Sequence, residues 1–295
     1  METFRPMIMR QFLKGVFALL WLAPLAPGQD SLPHHQLTVT LEPAVNTIVV
    51  QDTIQLAEGQ SSVGSTFTLA DHLEVLNCTP EIVGQAPGEH GTTVYTLGGE
   101  GDKDWITLAY RGTYEFGLSD QREEYTRGMR DTRGIVGSEG VYLAGESHWV
   151  PGVTDGLILF DVEITAPADW HVISQGQGTS SAEGAPEGKS LARWTTSQGL
   201  EQVYLVGGPL KRFEGNSEDT QTLVYLHADE PGLAQKYLGV TGRYIEMYSA
   251  LLGPYPYGKF ALVENFWETG YGMPSFTLLG ERIIRMPFIL HSSYP

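Results

Sequence analysis

The chain has 295 residues, 41% of them hydrophobic, and 18 Lys+Arg against 35 Asp+Glu give a formal charge of −17. The apolar share is enough for a core and excludes a disordered polyelectrolyte. The acidity repels phosphate backbones and excludes a nucleic-acid partner. The single cysteine, Cys78, excludes an internal disulfide, and no C-x-x-C is present to build a zinc ribbon.

Arg5, Arg10 and Lys14 precede an uncharged apolar run from Gly15 to Ala26. That run is shorter than the ~20 residues a membrane-crossing helix needs. Small residues Ala23 and Ala26 follow its centre, so residues 1–29 read as a secretory signal peptide. The expected location is exported, periplasmic or extracellular. Membrane contact is expected only through this segment, if it stays uncleaved.

Beyond it, Leu37, Val39 and Leu41 alternate with Thr38 and Thr40, the pattern of a half-buried strand. Similar runs predict strands at 47–56, 66–69, 73–76, 92–97, 105–110, 160–165, 170–174, 191–195 and 202–206. Gly, Pro, Asn and Asp punctuate them closely, as an all-β sandwich requires. Gly176 to Lys189 reads as a small polar loop without core residues. The period changes after residue 215. A strand at 222–226 is followed by Leu233, Tyr237, Val240, Tyr244, Met247/Tyr248 and Leu251, spaced as an amphipathic helix. Pro231 suits its start, and Gly253-Pro254 its end. Strands are predicted again at 259–264 and 275–279, and Ile283 starts an apolar segment read as a second helix. The polar stretch Lys211 to Asp219 is the expected boundary, separating an all-β unit (30–215) from residues 216–295.

No G-x-S-x-G elbow, P-loop or G-x-G-x-x-G is present. Glu264, Glu268 and Glu281 read as solvated or structural carboxylates. His34 and His35 read as solvated, and His148, His171 and His227 as structural groups on strand edges. No H-x-x-x-H or H-x-H pair occurs.

Several longer runs carry a resemblance. FDVEITAPADWHVISQG (Phe160 to Gly176), WTTSQGLEQVYLVGGPLKRFE (Trp194 to Glu214), the turn SHWVPG (Ser147 to Gly152) and LLGPYPYGKFALVE (Leu251 to Glu264) resemble, in order, the aminopeptidase N family of zinc metallopeptidases. The resemblance runs from about residue 35 onward. It implies a mainly β chain: a β-sandwich, saddle-like domain followed by the start of a thermolysin-like α/β catalytic domain. It also implies peptide as substrate and zinc as the cofactor of the full-length protein.

Two departures stand out. In the family, a G-A-M-E-N strand holds the substrate backbone and its Glu binds the free α-amine. Here the stretch is GYGMPSFTLLG, Gly270 to Gly280. Aligned on the first glycine, Met273 takes the place of that Glu; aligned on the methionine, Pro274 does. The candidate substrate-binding residues are therefore Gly270, Tyr271, Gly272 and Met273, with Glu268 or Glu146 as replacement for the missing anchor. A bulge or tight turn is the structural alternative for the two glycines. The second departure is that no H-E-x-x-H occurs, the pairing that puts two zinc-binding histidines and a general base on one helix face. The family's motif would follow shortly after Arg282 to Pro295. No catalytic residue, metal ligand or bound zinc is thus expected in this chain. The expected function is that of an exported, aminopeptidase-like zinc metallopeptidase, represented by an incomplete chain. The alternative is a secreted, non-catalytic β-domain binding module.

Overall fold

Two kinds of hydrophobic pattern build two kinds of sheet. The computed structural model describes residues 32–100, 103–120, 128–217 and 219–286. The expected signal segment, and the end of the apolar segment from residue 287, lie outside the described residues.

In chain order the first strands are β1 (His34–Glu42), β2 (Thr47–Gln55), β3 (Thr66–Ala70), β4 (Glu74–Thr79), β5 (Ile82–Pro87), β6 (Thr92–Leu97) and β7 (Trp105–Thr113). Short pieces follow: β8 (Ser119–Asp120), β9 (Arg130–Asp131), β10 (Ile135–Gly137) and β11 (Gly140–Leu143). Then come β12 (Leu159–Pro167), β13 (His171–Ile173), β14 (Gln177–Ser181), β15 (Lys189–Thr195) and β16 (Leu205–Gly208). The last part holds β17 (Lys211–Ser217), β18 (Thr220–Leu226), α1 (Pro231–Leu252), β19 (Lys259–Asn265), β20 (Gly270–Met273), β21 (Phe276–Gly280) and the single turn α2 (Glu281–Ile284). The chain is mainly β, as the alternating runs predict.

The largest sheet has the order β14-β15-β12-β1-β2-β7-β4. Leu37, Val39, Ile48, Val50, Leu108, Tyr110, Val162 and Ile164 share its inner face and are buried. The intervening Thr38, Gln51 and Thr107 face outward, so one face is wet, as antiparallel sheets allow. His35 departs from expectation. It is fully buried, not solvated, because the period of two places it on the inner face. There its Nδ1 pairs with Asp52 Oδ2 at 2.7 Å, and Asp52 is equally buried. Burial of two polar groups is tolerable only because they pair.

A four-stranded sheet, β10-β11-β16-β13, packs over that face, with a three-stranded one, β3-β6-β5, beside it. The stretch Gly176 to Lys189 is not simply a loop. It contains β14, whose Ser180 is buried and accepts the Val172 N–H through Oγ at 3.1 Å.

The last sheet has the order β17-β18-β19-β21-β20, with β18, β19 and β21 parallel. The polar stretch at 211–219, read as a boundary, supplies β17, the first strand of this sheet. Val224, Leu226 and Leu262 pack under α1 against Ala234, Tyr237 and Leu238. Leu223, Tyr225, Ala261 and Val263 join the main core on the opposite face. Helix α1 begins at Pro231 and stops before Gly253, as expected. Its buried face is Ala234, Tyr237, Leu238 and Ile245, whereas Tyr244, Met247, Tyr248 and Leu251 of the expected stripe are exposed.

Candidate functional site

Strand β20 is the edge of the five-stranded sheet. Met273 pairs with Phe276 across a two-residue turn of Pro274 and Ser275. Pro274 presets φ and Ser275 has φ 69°, the pattern of a type II turn. The register with β21 runs without a shift, and neither Gly270 nor Gly272 has positive φ. The two glycines therefore form neither a bulge nor a tight turn. Thr269 O accepts the Gly280 N–H at 2.8 Å. That bond makes Gly270–Leu279 a non-hydrogen-bonded pair and Tyr271–Leu278 a hydrogen-bonded one. The N–H and C=O of Gly270 and Gly272 consequently point to the free edge. An added Cβ at Gly272 would meet nothing within 4 Å.

The other two candidates face inward. Met273 is buried in the main core, so its side chain is not a substrate contact. Tyr271 receives Thr277 Oγ1 on its carbonyl at 2.9 Å and lies 6.1 Å from the Tyr142 ring, centroid to centroid. Arg130 on β9 braces this end of the strand. Its N–H donates to Glu268 O at 3.1 Å, and its carbonyl accepts Trp267 Nε1 at 3.2 Å.

Lys259, which sequence reasoning passed over, holds the turn at the other end. It is 1% exposed, and its Nζ donates to Ser174 O at 2.9 Å and to Ser275 Oγ at 2.7 Å. It sits 4.7 Å from the Trp194 ring centroid, within cation–π range. The ammonium thus joins the β20–β21 turn to the segment after β13. Burial pulls its pKa down to about 7. Its only signal in the sequence is a lysine opening an apolar strand.

The two candidate anchors occupy different cavities. Glu146 sits exposed on a short 3-10 turn, Gly145–Ser147, beside a cavity of about 770 Å³ with His90, Arg133, His148 and Glu201. His148 adopts φ 44° in this turn rather than lying on a strand. Burial, then Glu201 and Glu146, raise the Tyr204 phenol. Burial and Tyr271, with a smaller contribution from Glu146, raise that of Tyr142. Glu268 stands two residues before Gly270, with its Oε1 accepting the Arg282 N–H at 3.2 Å.

Glu268 lines a second cavity, about 780 Å³, at the carboxyl ends of β18, β19 and β21. Nearby, Glu264 is 3% exposed and accepts the His227 N–H at 2.8 Å. Arg285 donates to both Glu264 and Glu230.

No family model matches the chain, and no curated protein matches it by sequence. Solved structures match it in shape. The M1 zinc metallopeptidase of Deinococcus radiodurans, as a glutamate-to-alanine mutant bound to a Tyr-Ser-Ala substrate, superposes with a TM-score of 0.62 at 15% identity. The match covers 88% of this chain and 62% of that one. The same enzyme without the mutation matches with a TM-score of 0.59 at 16% identity, over 84% of this chain and 59% of that one. This chain has the M1 metallopeptidase fold. It spans about three-fifths of the length of those structures. Those structures are zinc metallopeptidases; among the described residues of this chain no group of three or more His, Cys, Asp or Glu is placed to hold a metal ion.

Proposed function

We propose that this chain holds peptide for an exported, aminopeptidase-like zinc metallopeptidase. The observation that carries the reading is the free edge of β20 within this fold. Gly270 and Gly272 offer backbone donors and acceptors to an extended peptide, with open space beside Gly272 and Met129 and Ile283 beside Gly270, which is β-strand addition. Pro274, which has no N–H, ends the ladder at the turn. Glu146, exposed on its short turn in the β-rich part of the chain, stands in for the missing amine anchor.

Tyr-Ser-Ala is the natural probe. In glycine-labelled protein, its addition is expected to shift the Gly270 and Gly272 amide resonances, and Glu146→Gln is expected to weaken binding about tenfold. Unmoved glycine signals would defeat the reading. Zinc is tested by metal analysis of protein isolated from its native source: about one zinc per chain after dialysis is expected. Protein that binds the tripeptide yet holds no zinc would leave the secreted, non-catalytic binding module. Export is checked by mass spectrometry of native material, which should lack residues 1–29.

A further inference from the structure

The turn that ends β20 is held by a buried cation. Ser275 stands at φ 69°, a left-handed conformation that a residue with a side chain keeps only where its surroundings fix it. Its carbonyl accepts the Ala261 N–H at 3.1 Å, an ordinary bond to β19. Lys259 holds the rest: its Nζ donates to Ser275 Oγ at 2.7 Å, to Ser275 O at 3.4 Å and to Ser174 O at 2.9 Å. An ammonium has three N–H donors and no acceptor, so three oxygens use it completely. The Trp194 and Phe276 rings lie 4.7 and 5.6 Å from the same nitrogen, and such faces attract it while it is charged.

Among the described residues this buried ammonium faces no counter-ion. The groups around it are Ser174 after β13, Trp194 on β15, and Ser275 and Phe276 at β21, all neutral. On β18 its register partner Gln221 gives its amide to Glu214 of β17 at 2.7 Å. His171 on β13 faces Tyr225 and Ser180, and burial lowers its pKa from 6.5. Tyr204 packs on Phe276 at 6.2 Å, and burial raises its phenol. Burial alone brings Lys259 down to about 7, with no contribution from another charge. The bare amine has two N–H groups for three oxygens, and bonds without the charge are about half as strong. Met273 and Phe276 close the turn, so what holds Ser275 holds the end of β20.

We infer that Lys259 is the positioning residue of the β20 edge, and that its ammonium makes peptide binding there tighter in mildly acidic than in mildly alkaline solution. This rests on the peptide reading above, because it concerns the regulation of that same edge. At low pH the ammonium fixes the turn and the edge is ready for a peptide. As pH rises the amine loosens its hold, and the peptide must order the edge as it binds.

Tyr-Ser-Ala binding to the full, glycine-labelled chain is measured at pH 6 and pH 8.5. The tripeptide's own α-amine titrates near pH ~8 whatever the protein, so each variant is compared with the parent. The parent's affinity is expected to fall about tenfold more than that of Lys259→Met over this range. Ser275→Gly removes the hydroxyl and keeps the turn, since glycine accepts φ 69° freely. It is expected to lose most of the same excess. Without peptide, the Gly272 amide resonance is expected to titrate near pH 7 in the parent and to stay flat in Lys259→Met. If Tyr-Ser-Ala shifts Gly270 and Gly272 with one pH profile in all three proteins, the positioning role of Lys259 fails alone. A Gly272 resonance that titrates alike in the parent and Lys259→Met would overturn it too. If the tripeptide leaves both glycines unmoved at either pH, the peptide reading fails, and pH control of peptide binding with it.

Discussion

The seven-stranded and five-stranded sheets bury their residues in opposite ways. Strand β1 alternates between buried and exposed, because only its inner face is covered. Strands β18 and β19 are buried almost continuously, because α1 covers one face and the main core covers the other. A parallel sheet needs both covers. One of them here is made by the β-rich part of the chain. The two sheets are therefore joined by a shared apolar seam, and Trp194, Lys259 and Phe276 lie in it.

Cutting that seam has the largest expected effect. Trp194 is 1% exposed and donates from Nε1 to Val172 O at 3.0 Å. Trp194→Ala should cost ~3–5 kcal/mol, read as an earlier denaturation midpoint. An unchanged midpoint would mean that the seam contributes little to holding the sheets together.

Lys259 sharpens the same comparison through pH. Its folded pKa is lowered from 10.5 to about 7, so between those values the unfolded chain binds more protons. Unfolding free energy must then rise with pH across that window, by up to ~1.4 kcal/mol per pH unit from this one group. Below the window both states hold the proton, and the burial cost of the ammonium is fully present. Lys259→Met should remove the slope and be no less stable than the parent at pH 6. Parallel stability–pH curves for the two proteins would show that the ammonium is not desolvated.

The smallest effect belongs to the uncovered end of α1. Leu251 is 71% exposed, so Leu251→Lys should change stability by less than ~0.5 kcal/mol. A loss of several kcal/mol would show that this surface is covered in solution.

These contrasts explain what was legible. The alternating runs predict β1, β2, β7 and β12 closely, since their period of two reports burial directly. Strand β14 was hidden, because Gln177–Ser181 carries no apolar signal and is held by pairing with β15. The buried face of α1 is not legible in the sequence, because its apolar residues form two adjacent stripes. Sheet packing selects Ile245, not Tyr244. The glycine-containing edge stood out in the sequence, but the outward direction of Gly270 and Gly272 depends on the phase of the ladder with β21.

By itself the sequence determined which segments must hide a face: a hydrophobic period is a local property, written in consecutive residues. It determined as well that no H-E-x-x-H occurs. Only the tertiary structure decided what fills the hidden space. Tyr142 meets the Tyr271 ring, and Lys259 reaches Ser174 from another sheet. Such partners are far apart in the chain and meet only once the sheets have packed. Spacing along the sequence carries no trace of those distances.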